Sequence, residues 1–138
     1  MSIAAAPLRH LEPLDSATAL TLMQRERVGR LAFCLHGAPH IELVNFVLVD
    51  GDPVFRIGVG AKLMAVGRGG PLALQCDRIN AGTRTGWTVT ITGPAHILKP
   101  AEIEALPEQP EPWAPGDRSR FIRLTARQVF GRALSADE

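Results

Sequence analysis

The sequence predicts a mainly β domain, a small antiparallel barrel of six or more short strands with two short helices and many turns. Three observations lead there. Short apolar runs recur along the chain, bounded by Gly, Pro, Asp and Asn. Residues 86–93, GWTVTITG, alternate cleanly, with Trp87, Val89 and Ile91 on one face and Thr88, Thr90 and Thr92 on the other. Asp50-Gly51-Asp52 joins two apolar runs at hairpin distance, because Asp-Gly accepts the positive φ that a tight turn needs.

In chain order, residues 1–13 contain Pro7 and Pro13 and little periodicity, and read as an N-terminal arm before a domain at 14–134 and a tail at 135–138. Asp15 or Ser16 caps a helix running to about Arg27, with Leu20 and Met23 on one face and Gly29 at its end. Residues 31–35 form a first strand and 36–39 a turn. The strand at 41–49 is apolar on both faces, so it is expected to be covered on both sides, as in a barrel wall that also meets a partner surface. Pro53 opens the next strand, where a missing N–H does least harm.

Further strands are expected at 71–77, 86–93, 94–98, 120–124 and 128–134, with one or two helical turns at 62–66 and a short helix from Pro100 to Leu106. Pro107, Pro110, Pro112 and Pro115 make the following segment a rigid loop pinned by Trp113. The threonine face of 86–93 is too polar for a core and is expected to meet solvent, a partner or a ligand.

A chain of 138 residues, 46% hydrophobic and 21% charged, makes one globular domain with a proper core. A net charge of +1 gives no general drive towards nucleic acid or an anionic membrane. No signal peptide or membrane span is expected, since the longest apolar runs are strand-sized. Cys34 and Cys76 are expected as a reduced, buried pair in a cytoplasmic protein, with a disulfide as the alternative. His10, His36, His40 and His96 lack metal-ligand spacing, so no metal site is assigned. There is no Gly-x-Ser-x-Gly, no Cys beside an evident His base, and no acid/base pair.

The stretch richest in chemistry is Gly58-Val59-Gly60-Ala61-Lys62, at the exit of the second hairpin strand. Its glycines let the backbone turn and expose N–H groups, and Lys62 adds a positive charge, which together make an anion cradle. A plain strand-exit bend with a solvated lysine is the alternative. A dinucleotide-binding turn is ruled out because Leu63 holds the third glycine position, and a P-loop because the glycine spacing and the Ser/Thr are missing. A ligand cradle without catalytic side chains suggests that a cofactor brings the reactivity.

With these residues in view, the chain resembles the pyridoxamine 5'-phosphate oxidase-like flavoproteins, the FMN-binding split-barrel family, and within it the short actinobacterial-type members. The likeness runs from about Leu14 to Leu134. It rests on VGRLAF at 28–33, VNF and DGDPVFR within 44–56, GVGAKL at 58–63, TGWTV at 85–89, PWAPGDR at 112–118 and GRAL at 131–134, in that order and spacing.

The resemblance implies a six-stranded antiparallel split β-barrel with short flanking helices, a homodimer, and FMN sites at the subunit interface. It implies that Lys62 binds the FMN phosphate, that Arg56, Ile57, Gly58, Gly60 and Ala61 wrap it, and that Val44, Asn45 and Phe46 lie along the isoalloxazine edge. Thr88 would face the flavin, and Trp87 and Arg132 would lie near the ring or the opposite subunit. Related sequences carry Thr where Ile57 stands, Ser or Thr at Ala61, and Pro at Leu43, so the phosphate site departs from the family pattern. The function implied is an FMN-dependent oxidoreductase acting on a small organic substrate. The alternatives are an F420-dependent reductase or a non-catalytic flavin- or haem-binding protein.

Overall fold

The structure, a computed structural model, describes residues 8–136. Its elements run β1 (Arg9–Leu14), α1 (Ser16–Gln24), β2 (Val28–Leu35), β3 (Ala38–Val49), β4 (Asp52–Ile57), α2 (Ala61–Gly67), β5 (Leu72–Asn80), β6 (Thr85–Gly93), β7 (Ala95–Ile97), α3 (Pro100–Glu104), β8 (Arg120–Leu124) and β9 (Gln128–Ala136). Nine strands form one sheet in the order β1-β9-β6-β5-β2-β3-β4-β8-β7, with antiparallel neighbours throughout. This is the mainly antiparallel split-barrel architecture that the sequence predicts, with more strands than the six expected.

The hairpin of β3 and β4 turns where the sequence placed it. Asp50 and Gly51 both have positive φ, 50° and 82°, as a two-residue turn matched to strand twist requires. From Phe46 onward β3 is buried on both faces. Phe46 and Leu48 enter the main core with Leu31, Phe55, Leu74, Val89, Ile91 and Ile122. Val47 and Val49 face the other way, into a second cluster with Val54, Leu98 and Phe121, covered by Ile103 and Leu106 around α3. The chain itself therefore covers that part of the second face. Earlier in β3, Ile41 and Leu43 are 69% and 65% exposed.

Four expectations are corrected. Residues 9–13, read as arm, are strand: β1 pairs with β9 along its length, Leu11 opposite Leu134 and Arg9 opposite Ala136. Ser135 and Ala136, read as tail, are the other half of that pairing, so two segments each lacking an apolar period are stabilised by a shared ladder. Residues 1–7 of the arm and 137–138 of the tail lie outside the described residues. The cysteines are both free, but only Cys76 is buried and Cys34 is exposed. Burial, reinforced by the charges of Glu26 and Asp77, pushes the Cys76 thiol up to about 12, so it is protonated and inert at neutral pH.

Helix α1 stops at Gln24, short of Arg27 and Gly29, because Val28 already pairs with Asn45 in the sheet. Among the described residues, no helix is long and apolar enough to cross a membrane.

Helix α1 begins at Asp15, whose carboxylate accepts the backbone N–H of Thr18 at 2.7 Å. That bond holds the Asp15 carboxyl below its ordinary value of 3.8. A depressed folded-state value means that the cap contributes fully above the ordinary value and is lost as pH falls through the lowered one. Asp15→Ala is expected to lower Tm at neutral pH, and thermal melts on an acid series should bring the two proteins together as the carboxyl protonates.

Candidate functional site

The site is built where β4 ends. Gly58 follows the last residue of β4, and a Cβ there would collide with the carbonyl oxygen of Asp117. Only glycine permits that approach. Two residues earlier, Arg56 Nε donates to the carbonyl oxygen of Arg118 at 2.9 Å, and its guanidinium lies 4.8 Å from the centre of the Phe121 ring. The segment 117–118 is thus drawn against the turn at 58–60, and the two form the walls of a cavity of about 470 Å³.

That cavity is lined by Glu42, Gly58, Gly60, Lys62, Asp117 and Arg118, among others. Helix α2 starts at Ala61, so the first-turn N–H groups of Ala61, Lys62 and Leu63 have no intrahelical acceptor. Lys62 Nζ stands 2.7 Å from Glu42 Oε2, with the lysine side chain 22% exposed. A carboxylate already sits on the lysine at hydrogen-bond distance, so the ammonium is aimed at an oxyanion rather than spread into solvent. The residues present therefore fit a phosphate group, on condition that it displaces Glu42.

The predicted site residues fall in three places. Gly58, Gly60, Ala61 and Lys62 make the cradle. Asn45, Phe46 and Arg56 border a second cavity beneath the loop at 108–113. Trp87, Thr88 and Arg132 share a third, mainly apolar groove with Leu11, Ile79 and Leu134, brought together because Thr88 pairs with Arg132 and Trp87 with Ala133 across β6 and β9.

Three side chains point elsewhere. Ile57 is wholly buried and Phe46 and Val44 nearly so, all in the main core, so the backbone alone is what they offer a ligand. The Asn45 side chain is already committed, donating to the Arg27 carbonyl oxygen at 3.1 Å and accepting the Trp113 N–H at 2.8 Å.

Sequence reasoning missed Glu42, Asp117 and Arg118 as cradle residues. Glu42 is the one acid in the strand Ala38–Val49, and that anomaly was its signal. Asp117 and Arg118 end the PWAPGDR segment that carries part of the resemblance, yet nothing local says that they close on residues nearly sixty positions earlier.

The family model for pyridoxamine 5'-phosphate oxidase matches residues 15–133. The chain belongs to this family. An uncharacterized protein from Mycobacterium tuberculosis is 27% identical over 135 residues, spanning 94% of this chain and 89% of its own. Among solved structures, a conserved protein of unknown function from Corynebacterium diphtheriae is 29% identical with a TM-score of 0.74, covering 91% of this chain and 98% of that one. A FAD-binding protein from Mesorhizobium loti also reaches a TM-score of 0.74, at 20% identity over 92% of this chain and 98% of that one. That second likeness is one of fold.

The burial of Ile57 decides what a hydroxyl introduced there would do. Ile57→Thr removes buried methyl groups and strands a hydroxyl in the core, and is expected to cost roughly 1–3 kcal/mol of stability. Ala61→Ser, at the half-buried first residue of α2, should stay within about 0.5 kcal/mol of wild type. Denaturant unfolding of both variants measures the difference.

Proposed function

We propose that the chain binds FMN by its phosphate at the Gly58–Lys62 cradle and works as a flavin-dependent oxidoreductase on a small organic substrate. The observation that carries this reading is Lys62, held 2.7 Å from the Glu42 carboxylate at the mouth of a glycine turn. Membership of the pyridoxamine 5'-phosphate oxidase family supports it. When bound, FMN would supply hydride or electron transfer. The chain's own part would be to neutralise the phosphate through Lys62, offer it the first N–H groups of α2, and hold the ring edge along β3.

FAD is the second reading, favoured by the description of the Mesorhizobium loti neighbour as FAD-binding. Mass spectrometry of the flavin retained after reconstitution with an equal mixture of FMN and FAD separates the two.

We further propose that the protein acts as a homodimer in the cytoplasm. The outer face of the sheet carries Leu43, Arg30, Gln75, Thr90 and Phe130 in one cross-strand row, and Ile79, Gly86, Leu134 and Leu11 in another. Leu11, Ile41, Leu43, Ile79 and Phe130 are each more than half exposed. So much apolar surface on one face is what a second copy would cover. In such a dimer the groove of Trp87, Thr88 and Arg132 would complete the flavin site from the opposite subunit. Neither nucleic acid nor a membrane enters this reading. Sedimentation at micromolar concentration should give a dimer; a monomer there argues against both the shared site and the covered face.

Lys62→Ala should weaken FMN binding by about 1.5–3 kcal/mol, the range for a hydrogen bond to a charged group, while Lys99→Ala leaves it unchanged. Glu42→Gln should act in the opposite sense. It removes the competing carboxylate of a partly exposed ion pair, and FMN should tighten by up to about fivefold. Fluorescence titration of FMN reads all three variants, and equal affinity in Lys62→Ala and Lys99→Ala would sink the cradle.

A further inference from the structure

Arg56 differs from most of the chain's paired arginines. Arg27, Arg30, Arg78 and Arg123 each have a carboxylate partner, with Glu108, Asp77, Glu26 and Asp52 respectively. Arg56 has none among the described residues, although its side chain is half-buried. It is nevertheless fixed, by the bond from Nε to the Arg118 carbonyl oxygen and by its seat over Phe121. With Nε spent, the pair of Nη groups remains as a planar two-pronged donor. A guanidinium that is partly desolvated and lacks a counter-charge gains most from an anion brought to it.

Arg56 borders a cavity of about 500 Å³ that is separate from the cradle of Lys62. Its other walls are Asn45, Phe46, Val47 and the loop 108–113. That loop is held in place at two points. Asn45 Oδ1 accepts the Trp113 N–H at 2.8 Å, and Arg27 Nη2 meets Glu108 Oε1 at 3.2 Å. Trp113 is pinned by its backbone while the residue is 72% exposed, which makes it an apolar platform beside the cavity. Arg27 is satisfied by Glu108 and by the carbonyl oxygens of Gln24 and Glu26, so it does not compete for a ligand.

We infer that this cavity binds a small organic acid, with its carboxylate on the Nη groups of Arg56 and its flat apolar part against Trp113. A carboxylate matches the planar fork in shape. A dianionic phosphate is the poorer ligand, because Glu108 and Glu111 both border the cavity and repel a second negative charge. The inference rests on the flavin reading in one respect: it names the substrate class of that same oxidoreductase, since Asn45 and Phe46 border the cavity and were assigned to the ring edge. It thereby removes Arg56 from the phosphate wrap and gives it to the substrate.

The test uses the full chain and two probes of one shape, benzoate and its neutral counterpart benzamide, followed by amide and indole NMR shifts. Benzoate should shift the Trp113 indole signal and residues 108–113 saturably, with benzamide weaker by about tenfold or more. Arg56→Gln should weaken benzoate by roughly ten- to a hundredfold, and Arg56→Lys by less, since it keeps the charge but not the fork. Should Arg56→Gln fail to fold, the contrast between benzoate and benzamide in wild type decides. Equal binding of the two probes, or benzoate shifts centred on Lys62 instead of Trp113, overturns the inference.

Lys62→Ala separates this inference from the cofactor reading, because it should weaken FMN and leave benzoate unchanged. Benzoate on Trp113 in a protein that binds no FMN leaves the cavity standing and removes the flavin. FMN binding without any benzoate shift at Trp113 does the reverse.

Discussion

Arg56 and Gly58 hold the two halves of the site together. The guanidinium reaches across to the Arg118 carbonyl oxygen, and the missing Cβ of Gly58 lets Asp117 come against the turn. Without that approach residues 117 and 118 would not wall the lysine cradle. Arg56, which makes the contact, also borders the second cavity. The pairing of β4 with β8, Arg56 opposite Phe121 and Ile57 opposite Arg120, is what brings these residues into register.

The electrostatics of the cradle are balanced rather than strongly positive. Lys62 and Arg118 face Glu42 and Asp117 within one cavity. A phosphate entering it exchanges one oxyanion for another on Lys62, so the net gain is smaller than in a site built from cations alone. On the proposed reading, this balance, together with an alanine at position 61 and an inward-pointing isoleucine at 57, would favour an exchanging cofactor over a tightly held one. The second cavity is different, because its one unpaired cation is already fixed in place and no carboxylate has to leave it.

Much of the fold was legible because it is local. The Asp50-Gly51 turn, the cap at Asp15 and the alternation of 86–93 each follow from a few adjacent residues, and each lies where the sequence put it. β1 was not legible, since RHLEPL has neither period nor turn signal and becomes a strand only through β9. In the site, Lys62 and its glycines announced themselves, while the partner Glu42 and the walls at 117–118 depend on contacts far apart in sequence. Ile57 was misleading for a related reason. The resemblance placed position 57 in the phosphate wrap, yet the side chain is wholly buried in the core, and only that burial reveals it.

The central claim is that Lys62 gives up Glu42 to hold a flavin phosphate. A crystal structure of the protein grown with FMN tests it most directly. The account predicts the phosphate within hydrogen-bond distance of Lys62 Nζ and of the first N–H groups of α2, with the Glu42 carboxylate displaced. A flavin whose phosphate lies on Arg56 or Arg132, with the Lys62–Glu42 pair intact, would contradict it.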